Sequence, residues 1–175
     1  MIDKRLGYDF YNRDVLDVAP ELIGKTLVRS NNSGSKREFT ITEVEAYRGD
    51  EDLACHASKG KTARTEVMFH HGGLVYVYLI YGMYWMLNFV TGESGNPQAV
   101  LIRGLSGCYG PGRITKMLAI GKDFYGEDLS TSSRLWVEDR NNSPIIRVAP
   151  RIGVDYAGSD WASKPWRYFA DDLKK

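Results

Sequence analysis

Short apolar runs of strand period, separated by glycine-rich turns, make up most of this chain, and only two stretches carry a helical period. Residues 14–23 place Val15, Val18 and Leu22 on one side of a helix, with Asp14 as N-cap and Gly24 as stop, and with Pro20 expected to shorten or kink it. Residues 25–29 and 38–47 read as strands joined by NNSGS, a first hairpin. Residues 74–80 and 84–91 form a second, with Tyr81 and Gly82 at its tip, and 98–105 adds a strand after the turn GESGNP. The clearest helix is 111–120, with proline at its first position, Ile114, Met117 and Leu118 on one face, and Gly121 beyond. Strands at 135–138 and 145–149 follow. Strand mostly succeeds strand, so the pattern predicts one α+β domain over 1–175, built on an antiparallel sheet.

Strand alternation gives these runs faces. Phe39, Ile41, Glu43, Glu45 and Tyr47 fall on one side of the 38–47 strand, which sets a carboxylate beside a phenol at its end. Acidic residues in a strand ordinarily mark a solvated face. Glu45 is singled out because it lies between Val44 and Ala46, just ahead of a charged loop, where strands hand residues to sites. In LVYVYLIYGMYWMLN, four tyrosines and a tryptophan fall within fifteen residues. Tyr76, Tyr78 and Ile80 share a face opposite Val75, Val77 and Leu79, a pattern that cross-strand packing also explains. Tyr81 differs, because a ring at the tip of a tight turn has little core to pack against and suits insertion into a partner.

Composition narrows the function classes. The 175 residues suffice for a core, and 23 basic against 22 acidic side chains leave the molecule near neutral, so a polyanion must be met by a local patch. Cys55 and Cys108, with no CxxC pair, speak against a disulfide scaffold or a cysteine-rich zinc site and suit a reducing compartment. The N-terminal MIDKRLGYDF places charges where a signal peptide is apolar, and no run is long enough for a membrane span. The expectation is a soluble, intracellular protein: in cytoplasm or nucleoid for a prokaryote, in the nucleus for a eukaryote. His56, His70 and His71 lie within sixteen residues, but without HExxH or matching cysteines they predict no metal. The run SKGKTAR offers Lys59, Lys61 and Arg64 to phosphates, and GPGR opens a helix whose N-terminus suits an anion.

These residues carry a resemblance. VEAY at 44–47, the acidic loop ending in His56, KTARTEVMF, YVYLIYGMYWMLN, AVLIRGL, GPGR, RIGVDYAG and WASKPWR, in that order, resemble the alkyladenine (3-methyladenine) DNA glycosylase family over nearly the whole chain. The resemblance implies a curved antiparallel sheet flanked by helices, with a protruding hairpin that enters the DNA minor groove. It implies an enzyme that flips alkylated or deaminated purines out of duplex DNA and hydrolyses the N-glycosidic bond with water, without cofactor or lyase step, acting as a monomer. By residue match, Glu45 is the general base and Arg103 helps hold the water. Tyr47 stacks on one face of the base, with His56 and Tyr78 on the other. Asn88 senses the purine edge, Ala170 adds a wall, and Tyr81 is the intercalating wedge. Lys59, Lys61 and Arg64 then contact the DNA backbone.

The chain departs from the family pattern at Thr65, where an asparagine is usual, and in VLIRGLSG, which lacks an acidic-proline continuation. Two other classes stay open: a catalytically silent damaged-DNA-binding protein, which has no use for Glu45, and a small-molecule hydrolase, which has no use for an exposed Tyr81.

Overall fold

The computed structural model describes residues 4–31 and 33–173. Parts of three stretches read above, namely the N-terminal MID, Asn32 of the first turn and the final two lysines, lie outside them.

In chain order the elements are α1 (Tyr8–Tyr11), α2 (Val15–Leu22), β1 (Thr26–Ser30), β2 (Lys36–Arg48), β3 (Val75–Ile80), β4 (Tyr84–Thr91), β5 (Gln98–Leu105), β6 (Cys108–Tyr109), α3 (Pro111–Leu118), β7 (Leu135–Glu138), β8 (Arg147–Ala149), α4 (Ser159–Ala162) and β9 (Arg167–Phe169). Short 3-10 turns occupy His56–Lys59 and Glu66–Phe69. All nine strands join one open sheet in the order β3-β4-β5-β2-β1-β7, with β6 on β5 and β9 bridging β2 to β8. Every pairing is antiparallel. The single-domain α+β architecture is therefore as the pattern predicts.

Both expected hairpins form, β1/β2 and β3/β4, the second pairing Ile80 with Tyr84 around its tip. In α2, the Asp14 carboxylate accepts from the Leu16 N–H at 2.9 Å, and Val15, Val18, Ala19 and Leu22 are buried. Pro20 sits inside this helix, which ends two residues later, as Ile23 donates back to the Pro20 carbonyl. Helix α3 is shorter than predicted: Ala119, at φ +51°, ends it in the left-handed conformation, and Gly121 lies beyond the cap, where a Cβ would come 3.6 Å from Trp85 Nε1. The strand predicted at 145–149 pairs only from Arg147. The α1, β6 and β9 elements are too short to show a period.

One correction matters for the site. The expected single face of the 38–47 strand is broken, because β2 carries register shifts between Ile41 and Glu43 and between Glu43 and Val44, opposite Gly104 of β5. A β-bulge adds a residue and reverses the alternation beyond it. Phe39 and Ile41 consequently face the main core, but so do Val44 and Ala46, and Glu43, Glu45 and Tyr47 turn to the opposite side. Gly104 makes room for this: a Cβ there would lie 2.6 Å from Thr42 Oγ1 and 2.9 Å from Glu43 Cβ.

The β3 strand separates the two sides as predicted. Val75 and Val77 enter the main core, and Tyr76 and Tyr78 join a second cluster with Cys55, Ala57, Val67, Met68, Val90 and Ala99. No helix among the described residues is long and apolar enough to cross a membrane.

Candidate active site

Beyond the bulge, β2 brings Tyr47 to the wall of a cleft of about 600 Å³, within the usual roughly 300–1,000 Å³ of small-ligand sites, with Glu45 buried behind that wall and bonded to it. Its walls come from Tyr47, the loop 53–56, Tyr78 and the C-terminal segment Ile152, Gly153, Val154 and Tyr156, with Arg103 and Leu101 from β5. An inner recess continues between Tyr47, Tyr78 and His56 to Asn88, Met68 and Ala99.

Glu45 is fully buried, yet ionic groups surround it. Its Oε1 accepts the Ile152 N–H at 2.7 Å, and its Oε2 accepts the Tyr47 hydroxyl at 2.8 Å. Arg103 Nε lies 3.4 Å from Glu45 Oε1 and 3.5 Å from Glu43 Oε1, although it makes a hydrogen bond to neither. Burial pushes the Glu45 carboxyl above the usual range, and Arg103, the Ile152 N–H and Tyr47 oppose that rise. Glu43 is held separately by Arg167 at 3.1 Å.

A cation lies against each aromatic wall. The Arg151 guanidinium lies 4.8 Å from the Tyr47 ring centroid, and Arg64 lies 4.9 Å from that of Tyr78. His56 packs edge-on against Tyr78 at 4.5 Å, and its Nδ1 hydrogen-bonds the Tyr76 hydroxyl at 3.0 Å. Burial, with Arg64 and Lys59 close by, drives the His56 imidazole down to about 4, so it is neutral at physiological pH. Tyr76, expected to serve packing alone, is thus part of the site. Asn88 is buried in the recess, and its amide donates to the carbonyls of Tyr76 at 3.2 Å and Met86 at 3.4 Å.

The structure therefore gathers Arg103, Tyr47, His56, Tyr78 and Asn88 around one cleft, with Lys59 and Arg64 on its outer part, and sets Glu45 just behind the lining through its bonds to Tyr47 and Ile152. Lys61 points elsewhere and pairs with Glu66 at 3.3 Å. Ala170 does not line the cleft. Its N–H bonds the Thr42 carbonyl at 3.0 Å and its side chain is fully buried in the main core, because β9 pairs with β2 at Glu43–Glu45 and carries the following residue inward. The wall expected from it is supplied by residues 152–156.

Tyr81 is 84% exposed, at the hairpin tip and on the margin of the cleft. Its φ of +53° and the +65° of Gly82 give the turn two left-handed central residues, the primed geometry that suits a twisted hairpin. Sequence reasoning missed Asp52, Arg151 and the Ile152 N–H. Arg151 stands in a quoted motif, but a loop N–H has no side-chain signature.

The site is a slot walled by flat rings, with a buried carboxylate and an arginine at its side and cations on its rim, the features of an enzyme cleft that takes a flat, anionic substrate. The comparisons give that class a family. The model of the Methylpurine-DNA glycosylase family matches residues 9–109 and 106–174. A protein of Methanocella arvoryzae is 46% identical over 94% of this chain and 91% of its own, and one of Wolbachia pipientis wMel is 47% identical over 93% and 89%. One of Desulfitobacterium hafniense is 42% identical over 97% and 96%, and all three carry the name "Putative 3-methyladenine DNA glycosylase". The chain belongs to the methylpurine-DNA glycosylase family. Membership makes it a DNA glycosylase, a hydrolase of N-glycosyl bonds whose substrate is DNA.

Proposed function

We propose that this chain takes an alkylated or deaminated purine out of duplex DNA into the cleft and hydrolyses its N-glycosidic bond with water, leaving an abasic site. The observation that carries this reading is Glu45: fully buried at the side of an aromatic slot, with each carboxylate oxygen already anchored by a donor.

Extrusion of a base costs a few kcal/mol, and stacking returns on the order of 1 to 3 kcal/mol per base. Tyr47 offers one ring face, since Arg151 occupies the other. His56 and Tyr78 form the second wall. Because the His56 Nδ1 is engaged by Tyr76, the imidazole is fixed in orientation. Asn88, pinned by two backbone carbonyls, meets the purine edge at the end of the recess. Tyr81 is the wedge that fills the vacated place in the stack, and Lys59, with Arg64, meets the backbone phosphates.

An alkylated cationic purine is already a good leaving group, so the protein has little more to provide than an oriented water and a stabilising charge. Glu45 accepts the water's proton as it attacks the anomeric carbon, and its charge stabilises the oxocarbenium-like sugar. Its raised pKa makes it a better base than an exposed glutamate. Arg103 Nε, close to both carboxylates but bonded to neither, is available to hold that water. The reaction is monofunctional, since a carboxylate and not an amine occupies the reacting position.

The test is release of 3-methyladenine, 7-methylguanine, hypoxanthine and ethenoadenine from duplex DNA by the wild type and Glu45→Gln. Release by the wild type, an intact strand at the abasic site, and a loss of at least a hundredfold in the variant are expected. Damaged-duplex binding without release would instead fit the catalytically silent binder, and strand cleavage would point to Lys59 as an amine nucleophile.

A further inference from the structure

Outside the groups assigned so far, the most constrained polar cluster is Arg151 with Asp52. Both side chains are completely buried, and they pair through two parallel bonds, Nη1 to Oδ2 at 2.5 Å and Nη2 to Oδ1 at 2.9 Å. The same two nitrogens also donate to backbone carbonyls, Nη1 to Ala46 at 3.0 Å and Nη2 to Trp161 at 3.3 Å. The guanidinium plane is enclosed by two rings, Tyr47 at 4.8 Å and Trp166 at 5.1 Å. Asp52 in turn holds the loop that leads to His56, accepting from the N–H of Arg48 and that of Ala54, both at 3.0 Å.

We propose that Arg151, clamped by Asp52, is the positioning residue that sets both working parts of the cleft, the stacking ring of Tyr47 and the carboxylate of Glu45. The inference rests on the function proposed above. Three contacts carry it. The bond to the Ala46 carbonyl fixes β2 between Glu45 and Tyr47. The ring contact sets the tilt of Tyr47 from the side away from the cleft. The next peptide along the chain, that of Ile152, is the one whose N–H holds Glu45 Oε1. One side chain therefore ties the bond-breaking carboxylate and the base-stacking ring into a single rigid unit. Stability does not account for the pair: apolar packing commonly replaces a buried ion pair without loss. The planar, forked and stacking geometry does account for it, because only arginine can bond two carboxylate oxygens and two carbonyls while presenting a flat face to a ring.

The groups around Glu45 are Arg103 from β5, Tyr47 and Glu43 from β2, Tyr78 from β3, and Arg151 and Tyr156 from the C-terminal segment, with Arg167 of β9 engaged by Glu43 and by the Pro150 carbonyl. Removing the Arg151 charge takes away the second cation that favours the ionised form and leaves Arg103 alone to do so, so the carboxyl titrates at higher pH. Lysine restores a charge but neither the fork nor the flat face.

The experiment compares full-length wild type, Arg151→Lys, Arg151→Met and Asp52→Asn. Three readouts are taken: single-turnover release from alkylated duplex, affinity for undamaged duplex, and NMR titration of the Glu45 carboxyl in the DNA-free protein labelled with ¹³C-glutamate. The expected result is a 10- to 100-fold slower release in all three variants, the order of loss that a misplaced site brings, with undamaged-duplex affinity unchanged. The Glu45 midpoint should rise in Arg151→Met and return toward wild type in Arg151→Lys, so that charge is rescued and rate is not. A merely structural role would lower the melting temperature and leave the midpoint in place. Wild-type release by Arg151→Lys, or an unmoved midpoint in Arg151→Met, overturns the proposal. If Arg151→Met does not fold, Arg151→Lys and Asp52→Asn decide it by their rates. If the wild type itself releases no base, the functional reading fails, but the DNA-free titration still tests the positioning role.

Discussion

Glu45 has a cost that its position makes measurable. Burial raises its carboxyl pKa in the folded protein, so the folded state favours the protonated form. The stability that this group contributes is complete below the ordinary glutamate value and is lost as pH rises through the raised one. At pH 7 the unfolded chain carries this group ionised while burial disfavours the charge in the fold, so Glu45→Gln should raise the thermal midpoint there. The gain should shrink toward zero as the pH falls below about 4.5, where both side chains are neutral. Thermal unfolding of the two proteins across pH 4 to 8 checks this, and an equal midpoint at pH 7 would show that Arg103, Tyr47 and the Ile152 N–H offset the burial fully. His56 acts in the opposite sense. Its pKa, lowered to about 4 by burial, means that stability falls as pH drops from 6.5 through 4, while its neutral form persists across the range in which Glu45 ionises. If Glu45 is the base, as proposed, the acid limb of the release profile follows its titration and not that of His56.

Two elements carry the geometry, the bulged β2 and the β3/β4 hairpin. In β2 the bulge decides which residues reach the cleft, and Gly104 permits it. Gly104→Ala would drive a methyl into Thr42 Oγ1 and Glu43 Cβ, and should destabilise the fold by about 1–3 kcal/mol in denaturant unfolding. It should also slow base release, because Arg103 and Glu43 flank the clash; unchanged stability and rate would show that the bulge accommodates the methyl. At the hairpin tip, Tyr81 is exposed and left-handed, a conformation that disfavours any residue with a Cβ. Tyr81→Gly should hold or slightly raise the melting temperature while weakening capture of damaged duplex about tenfold, the loss of one stacked ring. Tight capture by the variant would refute the wedge. The hairpins and the Asp14 cap were legible in the sequence because period two, turn residues and capping are local signals, whereas the sheet order rests on pairings between distant strands. The bulge was not, because it arises from a tertiary contact between Thr42, Glu43 and a glycine more than sixty residues away.

Across the whole molecule, charge follows the same division between local and distant. A net charge of +1 gives DNA no general attraction, so the proposed contact falls to local cations such as Lys59 and Arg64 at the outer part of the cleft. Of the site itself, the side chains in the matched motifs were legible as a set. What holds them was not: the Arg151–Asp52 clamp spans 99 residues and the Ile152–Glu45 bond 107, and neither has a sequence period or a spacing rule. Ala170 shows the converse, since motif order placed it at the pocket and the pairing of β9 turned it into the core.

Those long separations bear on how the molecule comes into being. The sheet strands β2 to β5 can pair as soon as residues 36–105 are available, but two carboxylates, Glu45 and Asp52, then lie in an interior whose guanidinium and amide partners have not yet been synthesised. Without the segment around residue 151, Asp52 would lack its guanidinium and Glu45 its backbone donor, and one side of the cleft would be open. The site is therefore complete only when the C-terminal third of the chain has docked on the sheet.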